Sequence, residues 1–347
     1  MRAAYYGYAN TRVKAMEARL LDASTIDRIK GARSLEEVIP LLYNTDYKQN
    51  LAEFGGLSVK SNLLDFAISK NLAESVEKLA RITPYKERKL MRMLLFKWGL
   101  SNAKLAVEAK YRGMDYSEIA NYVIDAGPFG SAALKEAMEK RDVRSLLEFL
   151  GMKAPTAYKA VFEAAINAFD KQGTGFAAIN AIDVNGYALM AKVALLLNSV
   201  DKNASRMVKL AIDVQNAITL LRAKAKNADA AEAEQLLIPN GSMREAELAS
   251  AYAKAKSAEE LAGYFENRGV AKGIAAYAKS GSLTSIEVSM RKQVLEKSRG
   301  MLVHVLSFAA ILAYAYVKEL EVMNLRTLVK SKQYGLSESE IAELVVA

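Results

Sequence analysis

Apolar residues recur at helical spacing around three asparagines of the chain, Asn102, Asn216 and Asn324. In each case apolar residues stand four and eight positions before the Asn and four positions after it. This spacing places the Asn within the apolar stripe of an α-helix, where its amide requires hydrogen-bond partners. We therefore expect each Asn to be buried and to fix the register of its helix against a neighbouring helix. The apolar positions are Leu94, Trp98 and Ala106; Val208, Ile212 and Leu220; and Tyr316, Leu320 and Leu328.

All three helices are predicted to end at an equivalent position. An ungapped alignment places Gly113, Asn227 and Gly335 in one column, and these residue types accept the left-handed conformation found just past a helix end. Eight positions after each Asn, a Lys falls in the predicted last turn, where the helix dipole favours a cation. These residues are Lys110, Lys224 and Lys332.

A second helix is predicted to begin two residues after each stop. The residue at this point can cap a helix, and a Glu follows three positions later, which is the spacing of a capping box. We therefore interpret the recurring Lys and Glu residues as structural and not catalytic. The capping residues are Asp115, Asp229 and Ser337, and the glutamates are Glu118, Glu232 and Glu340.

Another recurring element consists of a capping residue followed by an apolar helix that ends in a large pair. Its copies span 140–150, 255–265 and 32–42, with Asp142, Ser257 and Ser34 as the caps. The first two copies follow an Asn segment, whereas the third lies near the N-terminus. We therefore expect a three-part repeat whose last unit is completed by the start of the chain. The predicted boundaries are 51–150, 151–268 and 269–347, with 1–50 completing the third unit.

Composition favours an all-α fold. The 347 residues are 52% hydrophobic and include five Pro, and long β-branched runs are few. The chain has no Cys, which excludes disulfides and thiolate chemistry, and it has one His. Its opening residues contain no continuous apolar segment of the kind found in a secretion signal, so we expect a cytoplasmic location.

The net charge of +9 is compatible with an anionic membrane surface, a nucleic acid or an acidic partner. The basic residues alternate with acidic ones along the helices, which favours solvated helix faces over a nucleic-acid patch. Tyr5, Tyr6 and Tyr8 could stack on bases, since Arg12, Lys14 and Arg19 follow them on one predicted helix. The preferred interpretation is that these tyrosines pack between helices or meet a protein partner.

No catalytic, cofactor-binding or metal-binding residues are predicted, because nucleotide-hydrolysis and metalloenzyme motifs are not found. GTGFAA at 173–178 matches a dinucleotide pattern, but a helical stretch precedes it where that motif requires a strand. The apolar run 301–317 is interpreted as a buried core helix, because its helical length of about 25 Å is short for a bilayer. Within it, His304 is interpreted as a core histidine, with a ligand or proton-shuttle role as the alternative.

The two ends of the chain carry a resemblance to a known family. YGYANTRVKAMEARLLD at 6–22 and VKELEVMNLRTLVKSKQYGLSESEIAEL at 317–344 resemble the C subunit of the archaeal A-type ATP synthase. That family includes the C subunit of bacterial V-type enzymes and is similar to the d subunit of the eukaryotic V-ATPase. The resemblance implies a funnel-shaped, all-helical body of three similar domains around a pseudo-threefold axis.

The resemblance also implies a function. It predicts a non-catalytic central-stalk component of the rotor that couples the membrane ring of proteolipid K/c subunits to the shaft formed by the D and F subunits. Such a protein is a peripheral membrane protein on the cytoplasmic face and takes part in ion transport and ATP synthesis. No cofactor, small-molecule substrate or nucleic acid is expected. Whether the coupling ion is H⁺ or Na⁺ is set by other subunits.

Two other classes of function stay open from the residues alone. A helical-repeat scaffold or nucleic-acid-binding protein would account for the positive charge and the repeat. An enzyme would have to use His304 with nearby carboxylates.

Overall fold

The computed structural model describes residues 2–55, 61–270, 272, 282–304 and 306–346, and this part of the chain is helical without a β-strand. The predicted all-α class is confirmed. The chain divides into two compact units, of which unit 1 comprises Met1–Thr45 and Ala194–Ala347, and unit 2 comprises Asp46–Val193. The repeat boundaries given above stay a prediction.

Unit 2 is built around an aromatic core. Phe96 lies against Phe129 and Tyr158, with ring centroids 5.1 and 4.3 Å away, and Phe129 meets the ring of Phe162 edge-on. The Tyr158 hydroxyl donates to the Met93 carbonyl at 2.6 Å, so its polar end is satisfied inside the core. Its helices are α4 (Lys48–Glu53), α5 (Ser61–Ile82), α6 (Tyr85–Leu95), α7 (Lys97–Tyr111), α8 (Tyr116–Ile119), α9 (Ser131–Met138), α10 (Val143–Lys153), α11 (Lys159–Gln172) and most of α12 (Gly175–Val200).

Unit 1 combines the N-terminal helices with those of the second half of the chain. Its most buried element is the 26-residue α18, in which Phe308–Val317 is buried without interruption. The helices are α1 (Arg2–Glu17), α2 (Ala23–Gly31), α3 (Leu35–Tyr43), the end of α12, α13 (Lys202–Ala225), α14 (Ala230–Gln235), α15 (Glu245–Lys254), α16 (Ala258–Asn267), α17 (Leu283–Leu302), α18 (Phe308–Gln333) and α19 (Glu338–Leu344).

The run 301–317 is not one helix, which corrects part of the sequence interpretation. α17 ends at Leu302 and α18 begins at Phe308 with Ser307 as its N-cap. His304 lies in the turn between them and is exposed, so the core-histidine interpretation was wrong. Leu306 adopts a positive φ of 63°, which is unfavourable for a branched side chain and is stabilised by tertiary bonds.

Those bonds come from α1. The Asn10 amide accepts the Leu306 N–H at 2.9 Å and donates to the Ser307 carbonyl at 3.2 Å. Beyond the end of α1, the Leu21 N–H donates to the buried carboxylate of Glu321 in α18 at 2.6 Å. Since residues 10 and 21 pair with the start and the middle of α18 in that order, the segment from α1 to Leu21 follows α18 in the same direction.

Among the described helices, α12 is the one whose length and composition would allow it to cross a membrane. One third of its most apolar 18-residue window is buried (33%). A helix in the core of a soluble protein can satisfy the same criterion, so this observation alone is weak evidence for a span.

Candidate functional site

The three recurring asparagines form the same buried bonds, which we call asparagine clamps. The amide of each Asn accepts the N–H and donates to the C=O of one residue that lies 22 positions later. The partners are Ile124 for Asn102 (3.0 and 2.7 Å), Ile238 for Asn216 (2.8 and 2.9 Å) and Val346 for Asn324 (2.9 and 2.6 Å).

The prediction of burial is confirmed, because the three asparagines are 2%, 0% and 4% exposed. The prediction that each Asn bonds a neighbouring helix was wrong. Each clamp binds an extended segment that follows the next short helix, and none of the three partner residues lies in a neighbouring helix. An extended segment has unpaired backbone groups, and one amide side chain can satisfy an N–H and a C=O together.

The recurring lysines have a role that the sequence interpretation missed. The ammonium group of each Lys donates to a backbone carbonyl at the end of another helix, over distances of 2.5–3.0 Å. Such carbonyls lack intrahelical partners, so a cation satisfies both the hydrogen bond and the helix dipole. The pairs are Lys110 with Met138, Lys224 with Tyr252, and Lys332 with Lys30.

The third of these bonds joins the two ends of the chain. Met138 and Tyr252 each lie 28 positions after their lysine, whereas Lys30 precedes Lys332 by 302 positions. α2 near the N-terminus therefore receives from Lys332 the same bond that α9 and α15 receive from the lysines that precede them. The completion of the third copy by the start of the chain stays a prediction.

The predicted helix stops and caps are confirmed. Gly113, Asn227 and Gly335 have φ values of 72°, 55° and 66°, in the left-handed region. Asp115 and Ser337 form complete capping boxes with Glu118 and Glu340. The Asp229 carboxylate accepts the N–H of Glu232.

Caps also begin two of the three helices of the second recurring element. Asp142 accepts the N–H of Ser145, and Ser257 accepts the N–H of Glu260, whereas Ser34 makes no side-chain capping bond. The bonds from the Ser145 backbone and hydroxyl lower the pKa of Asp142 to about 2, because they stabilise the carboxylate form.

A buried acid stands three residues before two of the clamp asparagines. Asp213 accepts the N–H groups of Ser242 and Met243 at 2.9 and 3.2 Å. Burial nevertheless raises the pKa of Asp213, because desolvation disfavours its charged form more than these bonds favour it. Glu321 forms a buried ion pair with Lys318 at 2.6 Å and accepts the Leu21 N–H described above.

The described residues contain no group of three or more His, Cys, Asp or Glu side chains arranged to hold a metal. An open cavity of about 760 Å³ beside α15 and α16 is lined by Arg244, Glu247 and Arg268, and Glu247 pairs with both arginines.

The two remaining motifs have structural explanations. Gly173 ends α11 in the left-handed conformation and α12 begins at Gly175, so GTGFAA connects two helices and is not preceded by a strand. In the tyrosine cluster, Tyr6 is buried and meets Tyr5 edge-on, whereas Tyr8 is 68% exposed. One of the tyrosines therefore packs inside the protein, and Tyr8 lies on the surface.

The comparisons with known proteins identify one family. Residues 9–344 match the family model described as ATP synthase (C/AC39) subunit. The C subunit of the A-type ATP synthase of Thermococcus kodakarensis is 28% identical, covering 98% of this chain and 90% of the relative. The C subunit of the V-type ATP synthase of Deinococcus radiodurans is 26% identical, covering 99% and 91%. Because the family match spans nearly the whole chain, the protein belongs to the ATP synthase C/AC39 subunit family.

Proposed function

We propose that this protein is the C subunit of an A/V-type ATP synthase and acts as a non-catalytic part of the central stalk. The observation that carries the proposal is the family match over 9–344, together with relatives of similar length that are named as the C subunits of such enzymes. In this role the protein connects the membrane rotor ring of proteolipid K/c subunits to the D and F subunits of the shaft. It lies on the cytoplasmic face of the membrane as a peripheral protein.

The internal bonds support a part that transmits torque. A torque-bearing element has to resist relative movement of its helices, and buried hydrogen bonds between distant segments oppose such movement. The asparagine clamps tie α7, α13 and α18 to segments 22 residues away, and the lysines of α7 and α13 bind segments 28 residues away. Lys332 of α18 instead binds Lys30, near the other end of the chain. Nucleotide hydrolysis would then belong to other subunits.

The same bonds support the proposed three-part architecture. We propose three similar helical domains around a pseudo-threefold axis, with boundaries at 51–150, 151–268 and 269–347 and with 1–50 completing the third. The support is the repetition of one bond set in three places, which is the behaviour expected of repeated structural units.

Reconstitution tests the proposed function. A complex assembled without this chain should hydrolyse ATP without building an ion gradient, and adding the chain back should restore the gradient. The purified chain should also bind the D–F shaft and the isolated ring. Failure to bind either component, or full coupling in its absence, would refute the proposal. Tight binding to DNA or RNA that weakens steeply with salt would support the alternative nucleic-acid role.

A further inference from the structure

Three segments of unit 1 meet at one corner. The turn between α12 and α13 adjoins the start of α18, since Asp201 accepts the Ala309 N–H at 2.9 Å. The turn between α17 and α18 adjoins α1 through the bonds of Asn10. The Ser205 hydroxyl bonds the Ala194 carbonyl at 2.7 Å and holds the end of α12 against α13. These bonds bring segments 5–14 and 194–206 and the described residues of 301–310 into one region.

Large apolar side chains are exposed at this corner. Leu195 and Leu196 on the last turns of α12 are 52% and 58% exposed, and Val303 and Tyr8 are both 68% exposed. We call these four residues the corner surface. The other exposed large apolar side chains among the described residues of unit 1 are Tyr5, in the same N-terminal segment, and Tyr334. Exposed apolar residues are ordinary when scattered, but a concentration at one corner indicates a binding surface.

The charge around the corner surface is positive. Arg12, Lys202 and Arg206 are exposed within the three segments. The one acidic residue in these segments is Asp201, whose carboxylate is occupied by backbone N–H groups at the starts of α13 and α18. A partner that complements this corner therefore has an apolar part and negative charge.

Two features favour a lipid surface over a protein as that partner. Val303 lies in a turn and Leu195 and Leu196 lie near the end of α12, whereas Tyr8 lies within α1, and all four side chains project into solvent. They also combine Leu and Tyr with Lys and Arg, which is the composition of segments that lie in the membrane interface. Protein interfaces are instead depleted of Lys at their centres.

We propose that the corner surface inserts into an anionic lipid surface, with Leu195, Leu196, Val303 and Tyr8 entering the interface and the basic residues meeting lipid phosphates. This inference rests on the proposed function in that it specifies how the protein meets the membrane beside the ring. Its chemistry can be measured on the isolated full-length chain.

Vesicle flotation tests the proposal. The chain should float with phosphatidylcholine vesicles that contain phosphatidylglycerol and should partition far less onto phosphatidylcholine alone. Replacing Leu195→Gln and Leu196→Gln should reduce partitioning at least about tenfold, because two apolar side chains no longer insert. Replacing Lys202→Gln and Arg206→Gln should reduce it by about fivefold for each charge.

Matched variants keep the test specific. Phe176→Gln removes another exposed apolar side chain of α12, and Lys159→Gln with Lys171→Gln removes two exposed charges of α11. These controls should leave partitioning within about twofold of the unaltered chain, and circular dichroism should show native helix content in every variant. Equal losses in test and control variants would overturn the proposal.

The remaining outcomes separate the lipid contact from the proposed function. Absence of flotation would overturn the lipid proposal, and if the Leu195 and Leu196 variant also failed to join the ring, the corner surface would be a protein-docking site. Flotation that depends on the corner surface in a chain that binds neither ring nor shaft would support the lipid contact and refute the proposed function.

Discussion

The asparagine clamps at Asn102 and Asn324 have similar geometry but differ in how the chain supplies their surroundings. Around Asn102, each bonded residue follows its own side-chain partner by at most 28 residues, and the Asn102 amide makes a third bond to the Phe129 carbonyl at 2.9 Å. Around Asn324, the clamp partner is the penultimate residue, and the lysine bond reaches back to Lys30.

This difference shows that the same bonds form wherever the same groups come into contact, whatever the order of the bonded residues along the sequence. The Asn102 region has an additional hydrogen bond from the clamp to Phe129. The Asn324 region instead has the buried Lys318–Glu321 ion pair and the bond from the Leu21 N–H to Glu321. We therefore expect the two regions to respond differently to the same kind of change.

The largest expected effect follows from deleting residues 1–33. This removes the buried side chains of Val13, Leu21 and Ile29, which contribute on the order of 1.5–3 kcal/mol each, and leaves Lys332 without its carbonyl. Hydrogen exchange should show loss of protection at the Val346 amide and retained protection at Ile124. Retained protection at both amides would contradict a closing role for the N-terminal helices.

Replacing the clamp asparagines is expected to have the next largest effect. Asn102→Leu removes three bonds and leaves buried backbone groups unpaired, at an expected cost of about 3–5 kcal/mol, whereas Asn324→Leu removes two and should cost about 2–4 kcal/mol. Urea denaturation measures both costs. The control is Asn185→Leu, because this exposed Asn bonds only within α12. A change no larger than that of the control would argue against the clamps.

The lysine bonds offer a moderate and local test. Lys110→Met and Lys332→Met should each cost about 1–2 kcal/mol, since each removes a charged donor from a helix-end carbonyl. The location of the effect distinguishes them, because Lys332→Met should increase amide exchange in α2 and Lys110→Met should increase it in α9. Identical exchange patterns in the two variants would show that the lysines do not hold these helices.

The Asn216 region should differ from the other two in the pH dependence of its stability, because it contains Asp213. Because burial raises the folded-state pKa of Asp213 above its ordinary value of 3.8, its contribution to stability is complete below pH 3.8 and is lost as pH rises through the folded pKa. Asp213→Asn should therefore gain stability relative to the unaltered protein as pH rises from 3.8 towards neutrality. Denaturation curves at a series of pH values measure this difference. A variant that loses stability relative to the unaltered protein as pH rises would contradict the prediction.

The smallest expected effect concerns the helix caps. The lowered pKa of Asp142 means that its contribution is present above pH 3.8 and is lost as pH falls through about 2. Asp142→Ala should thus reduce stability at neutral pH and approach the unaltered protein near pH 2. Ser34→Ala, at the equivalent position, should have less effect, because Ser34 makes no side-chain capping bond. Thermal denaturation at both pH values compares the two.

Local signals in the sequence predicted much of this bond set. The stops at Gly113, Asn227 and Gly335 follow from the conformational preference of single residues, and the burial of the asparagines follows from helical periodicity. The lysine acceptors were missed because a helix-end carbonyl 28 residues away, or near the other end of the chain, leaves no mark in the sequence around the lysine.

The break at 303–307 illustrates the same limit. This run contains neither Gly nor Pro, and its turn requires Leu306 to adopt a positive φ that the distant Asn10 stabilises. Ser307, followed by the apolar start of α18, was the one local signal of a helix start. Because the break was missed, His304 was placed in the core and the exposed corner was not anticipated.

The bond between Lys30 and Lys332 also has a consequence for biosynthesis. At about 5–20 residues per second, a ribosome needs roughly 15–60 s to pass from the N-terminal helices to the residues that bury them. During this interval Ile26, Ile29 and their neighbours stay without their final partners. We expect the nascent N-terminal helices to depend on chaperones in this period, until the residues of α18 that bind them have been made.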